Sequence, residues 1–233
     1  MAKTAGIDQD ALIDMFSQAT AKQGEELRTA VSTATLRALQ GRELTLSNIR
    51  SVLKTVTQAA SAGAAKNDAR APDIESMLGS AFGGMDAALL QAVEANRRAL
   101  QQFVDQGMGL QEGRLKTALA EIEKMEDTLF ATVGKAAQGV ATPLQGPWSQ
   151  VLESMKLKGT DTGTQASAAV EQLMTQAQSA LRDSRAMSLR AGQAMMDSYA
   201  ALVSGVLIGM SEAVQQGGAK PAETATSTPR SKR

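Results

Sequence analysis

An all-α fold follows from three features of this 233-residue chain. Aromatic residues are only 3% of it, so a core has to be assembled from Ala, Leu, Val, Ile and Met. Strands draw on the β-branched and aromatic residues that are scarce here, whereas close-packed helices do not. Apolar residues recur at helical spacing over long stretches, most clearly across residues 85–134. Glycines and prolines cluster between these stretches, where they would end helices. The expected architecture is a set of antiparallel helical hairpins forming an elongated bundle, followed by a disordered C-terminal tail.

The elements follow in order. Asp8 or Asp10 can cap a first helix with Leu12, Ile13, Phe16 and Ala19 on its apolar face, continuing through Leu27, Val31 and Leu39, with Gly24 as a possible break. Gly41 ends that pattern, and Ser47 starts a second helix carrying Ile49, Val52, Leu53, Val56 and Ala60. Residues 61–73 are small and polar and read as a linker, after which Asp73 caps a short helix that stops at Gly83 and Gly84. Two long amphipathic helices come next. Leu89, Ala92, Val93, Asn96, Leu100 and Phe103 mark the first, and Leu115, Ala118, Leu119, Ile122, Leu129 and Val133 the second. Gly107, Gly109 and Gly113 place a turn between them, because each costs a helix interior roughly 1 kcal/mol relative to alanine.

Residues 138–147 break helix with two prolines, and Pro147 suits the first turn of a short helix with Trp148, Val151, Leu152 and Met155. The GTDTG turn at residues 159–163 precedes a helical pattern running without interruption from about Gln165 to Gln216. Gly217 and Gly218 end it before a polar, Pro-containing tail. The implied organisation is an N-terminal helical pair at 1–66, a central long hairpin at 67–137, a short helix with a long C-terminal helix at 138–216, and a tail at 217–233.

Composition narrows the function. The chain has 24 Lys plus Arg against 24 Asp plus Glu, without the basic surplus of a non-specific nucleic-acid binder. It contains no Cys, so disulfides and thiolate metal sites are excluded. It contains no His either, which removes the commonest metal ligand and the commonest general base near neutral pH. No apolar leader opens the chain, so a cytoplasmic location is expected.

The remaining signals have plain readings. GTDTG lacks the preceding strand and following Lys of a phosphate-binding loop, and reads as a helix-capping turn. Glu121, Glu123, Glu126 and Asp127 cannot form the Glu-x-x-His pairs of a di-metal bundle, and read as a solvated face. Met187, Met195, Met196 and Met210 suit gap filling in a core, or an adaptable interface. Residues 199–210, YAALVSGVLIGM, carry no charge but are too short to span a bilayer. Tyr199, Leu202, Val206 and Met210 form an apolar stripe there, opposite the small residues Ala201, Gly205 and Gly209, so this helix offers two faces for partners.

Two polar residues interrupt the central stripe. Asn96 lies among Leu89, Val93, Leu100 and Phe103, and Glu126 among Leu119, Ile122, Leu129 and Val133. A reversal at Gln111 would bring them level as a register-fixing pair, and a wet edge of the stripe is the alternative.

The chain resembles a family of uncharacterised, Ala-rich, all-helical bacterial proteins, a domain of unknown function. The resemblance covers roughly residues 30–214 and rests on TLRALQGREL (35–44), SVLKTVTQAASAGA (51–64), GGMDAALLQAVEANRRALQ (83–101), GTDTG (159–163) and VSGVLIGMSEA (203–213). It implies a helical fold and no catalytic residue. In its Ala-, Gln- and Met-rich amphipathic helices and its short tail of Lys, Pro and Ala, the chain is also similar in type to phasins, which coat polyhydroxyalkanoate granules.

The expected function is therefore non-enzymatic: an interaction or surface-coating protein, binding a hydrophobic granule surface or itself as a homo-oligomer, with no cofactor, metal or nucleic acid and no transmembrane span. A helical scaffold with protein partners only is the alternative. An enzyme working with Asp, Glu, Lys, Ser or Tyr alone is a more distant one.

Overall fold

The computed structural model describes residues 7–40, 44–105, 112–183 and Val206. Among them the fold is all-α. The helices are α1 (Gln9–Gln18), α2 (Gly24–Leu39), α3 (Leu46–Ala64), α4 (Ala71–Asp105), α5 (Glu112–Glu123), α6 (Met125–Gln138), α7 (Thr142–Lys158) and α8 (Asp161–Asp183), with a 3₁₀ turn at Ala21–Gln23. Among the described residues, no helix is long and apolar enough to cross a membrane.

The N-terminal boundaries follow local chemistry. Asp8 caps α1 by accepting the Ala11 N–H at 3.0 Å. The first pattern does break, at the extended residues Ala19 and Thr20; Thr20 and Gln23 form a capping box, and Gly24 opens α2 in helical conformation. Thr45, rather than Ser47, caps α3, its hydroxyl accepting the Asn48 N–H at 3.2 Å. Pro143 occupies the first turn of α7, so Pro147 falls inside that helix instead of opening it.

Helix α4 is the axis of the molecule. It runs through Gly83 and Gly84, where the sequence predicts an end. The reason is tertiary: a Cβ on Gly84 would lie 2.5 Å from the Arg28 carbonyl oxygen and 2.8 Å from Val31 Cβ. Gly84 admits the backbone of α2 rather than stopping α4, a Cβ on Gly83 would face the Arg28 side chain at 3.5 Å, and the packing outweighs the low propensity of the pair. The same logic extends α3 into the expected linker. Gly63 is buried where α1 crosses, a Cβ there meeting Ile13 O and Phe16 Cβ, both at 2.5 Å. Only the stretch between Ala64 and Ala71 connects α3 to α4.

Helices α3 and α4 are antiparallel, with Thr57 against Met85 and Asn67 against Met77. Helices α6 and α7 are antiparallel too, Gly134 facing Leu152 and Lys156 reaching the Phe130 ring. Helix α2 instead runs in the direction of α4, Gly24 lying by Ser80 and Arg28 by Gly83. The predicted stripes are buried: Ile49, Val52, Leu53, Val56 and Ala60 of α3, and Leu119, Ile122, Leu129 and Val133 of α5 and α6. One continuous core runs from Leu12 and Phe16 through Leu53, Phe82 and Met85 to Trp148 and Leu173, so residues from all three predicted helical segments share it. Trp148 is fully buried and donates its indole N–H to Ser61 Oγ at 3.0 Å, satisfying the polar end of the largest core side chain.

Candidate functional site

A cluster of buried polar groups forms where α8 begins. Gly159, with φ at +75°, ends α7 in a conformation that favours glycine, and the chain turns at once into α8. Thr160 is the N-cap: its hydroxyl oxygen accepts the Gly163 N–H at 3.0 Å and its O–H donates to Glu126 Oε1 at 2.5 Å. Across the interface, Asp86 of α4 accepts the Asp161 N–H on Oδ2 and the Thr162 N–H on Oδ1, each at 3.1 Å. The Thr162 hydroxyl donates back to the Asp86 carbonyl at 2.9 Å.

A carboxylate that is 6% exposed thus sits on the amide end of a helix in another part of the sequence. Opposite partial charges and two unpaired N–H groups make that placement favourable. Gly163 is part of the device, because a Cβ there would overlap the Glu126 carboxylate. Arg28 approaches Asp161 at 3.9 Å, but the side chains are 42% and 68% exposed, so water screens the pair. Further along, Gln165 donates to Glu94 at 3.1 Å and Arg97 to Gln172 at 3.4 Å, so α8 runs parallel to α4. The cluster can dock a helix, and its carboxylate and hydroxyl groups are engaged in doing so. GTDTG is the capping turn its residues predict. Among the described residues, no group of three acidic side chains gathers as a cation site would require.

Asn96 and Glu126 are both held, but apart. Glu126 reaches Thr160 and so lies level with Asp86, while Asn96 is about three turns further along α4, roughly 15 Å away. Asn96 is 6% exposed and donates to the Ala92 carbonyl of its own helix at 3.2 Å. The expected pairing placed the reversal at Gln111, which lies outside the described residues, and the observed register is shifted from it. Asp86 is the residue the sequence did not single out. The signal was present, since Asp86 interrupts the stripe of Phe82, Leu89 and Val93 just as Asn96 does.

Of the C-terminal stripe, Tyr199, Ala201, Leu202, Gly205, Gly209 and Met210 lie outside the described residues. Val206 is described: it is helical, half-buried, and packed against a second apolar cluster of Leu36, Ala88, Ala92, Ala95 and Ala99. The helix expected to run from Gln165 to Gln216 is described as far as Asp183, and apart from Val206 the rest of that expectation lies outside the described residues.

The fold and this cluster define a helical bundle whose buried polar groups join helices to one another. The chain belongs to the family of unknown function DUF6781, whose model matches residues 2–216. No curated protein and no solved structure matches it.

Proposed function

We propose that the protein is a non-enzymatic helical interaction protein of the cytoplasm, a scaffold that self-associates or holds protein partners. The observation that carries this reading is the use made of its buried polar side chains. Asp86, Thr160, Thr162, Ser61 and Thr57 each bond to another helix, so the groups that could do chemistry hold the bundle in register. The described surface supports a protein partner over a lipid phase: the large hydrophobics it exposes are Met15, Leu157 and Met174, which are scattered rather than gathered into a stripe.

A second reading, a phasin-like coat on a hydrophobic granule, draws on the uncharged run at residues 199–210. Two measurements on the full chain separate them. Light scattering should give a fixed mass above the monomer, or a stable complex with a captured partner, that hydrophobic particles leave unchanged. Co-sedimentation with particles, abolished by Val206→Glu in a folded variant, would instead establish the coat. A monomer that binds neither would defeat both.

A further inference from the structure

We propose that the alanine-lined face of α2 and α4 is a docking site for the chain's own C-terminal segment, anchored by Val206. Ala88, Ala92, Ala95 and Ala99 recur at helical spacing along about 17 Å of α4, flanked by Leu36 of α2. All five are buried, the alanines fully so. A face lined with methyl groups lets another helix approach closely, since nothing longer than Cβ stands between the backbones. This face is distinct from the main core, which takes the Met85, Leu89 and Val93 side of the same helix.

The occupant is identified by the contact itself, because Val206 packs against this cluster with helical backbone. Four residues to either side of Val206 stand Leu202 and Met210, which share its face in a helix. A partner that takes Val206 therefore competes with the protein's own α4.

The absence of native cysteine makes the test direct. Val206→Cys is paired in the full chain with Ala92→Cys or Ala95→Cys, and as a control with Ser149→Cys on the exposed side of α7. Under mild oxidation a seam pair should cross-link within one chain, at any protein concentration, while the Ser149→Cys pair should not. Cross-links found only between chains would assign the face to a second copy and overturn the proposal. Failure of both seam pairs would also overturn it. The single variant Val206→Cys supplies a second readout without engineered pairing. Its alkylation by iodoacetamide should be at least ten-fold slower in the native chain than in urea, and Ala95→Leu, which fills the face, should raise the native rate several-fold. Equal native and denatured rates would refute the docking. Cross-linking reads the docked state alone, whereas light scattering and co-sedimentation read the function, so either can fail without the other.

Discussion

Asp86 and Thr162 are bonded twice: the Thr162 amide donates to the Asp86 carboxylate at 3.1 Å, and its hydroxyl to the Asp86 carbonyl at 2.9 Å. One residue of α4 thus supplies an N-terminal cap to α8 from outside it. Replacing Asp86 with Ala strips the acceptor from two amides in a buried setting, and a charge-assisted bond of this kind is worth about 1.5–3 kcal/mol. Urea denaturation should show a loss in that range for Asp86→Ala and a smaller one for Asp86→Asn, which keeps one acceptor oxygen. Equal losses would mean that volume, not capping, is what Asp86 contributes.

Gly84 and Gly134 should respond to alanine with opposite signs. Both are helical, and alanine raises intrinsic propensity by roughly 1 kcal/mol at either. At Gly134 the added Cβ meets Leu152 Cδ1 at 3.7 Å, an ordinary van der Waals contact, so Gly134→Ala should raise the melting temperature. At Gly84 the Cβ meets the Arg28 carbonyl at 2.5 Å, and backbone cannot step aside as a flexible side chain can. Gly84→Ala should therefore destabilise by about 1–3 kcal/mol net, the range of overpacked cores. A stabilised Gly84→Ala would place α2 further from α4 than described.

Gly163 and Glu126 should be strongly non-additive. In the native chain Gly163→Ala drives a methyl group into the Glu126 carboxylate and breaks its bond to Thr160. With Glu126→Ala already made, that obstacle is gone and the helix-propensity gain remains. Gly163→Ala should lower stability alone and raise it in the double variant, a coupling of about 0.5–3 kcal/mol in a double-mutant cycle. Additive changes would separate the two residues.

Asn67 should control the C-terminal end of α1. Its amide donates to the Phe16 carbonyl at 2.8 Å and the Ala19 carbonyl at 2.9 Å, while its oxygen accepts the Ala69 N–H at 2.9 Å. Asn67→Ala leaves carbonyls at a helix end without their donor, a loss of about 1–3 kcal/mol. Hydrogen exchange should show the effect concentrated in α1, with α6 and α7 protected as before. Uniform loss of protection would mean that α1 does not open on its own.

Residue type and spacing were enough to specify the all-α class, the buried faces of α3, α5 and α6 and the capping role of GTDTG, because these depend on local chemistry and a period of 3.6 residues. Gly83 and Gly84 show where local reading fails. Read alone they end a helix, and only the backbone of α2 against Gly84 explains why α4 continues. The linker expected after residue 60 shrank for the same reason, since Gly63 and Ser61 are small or polar to fit α1 and Trp148. Register was likewise a tertiary decision. The stripes marked Asn96 and Glu126 as polar interruptions, but their level depends on how α4, α6 and α8 pack, and packing paired Glu126 with Thr160 and Asp86 with Thr162. Helical periodicity says which way a side chain faces within its own element. What it faces is decided by contacts between residues far apart in the chain, and one sequence contains no record of those distances until the helices are assembled.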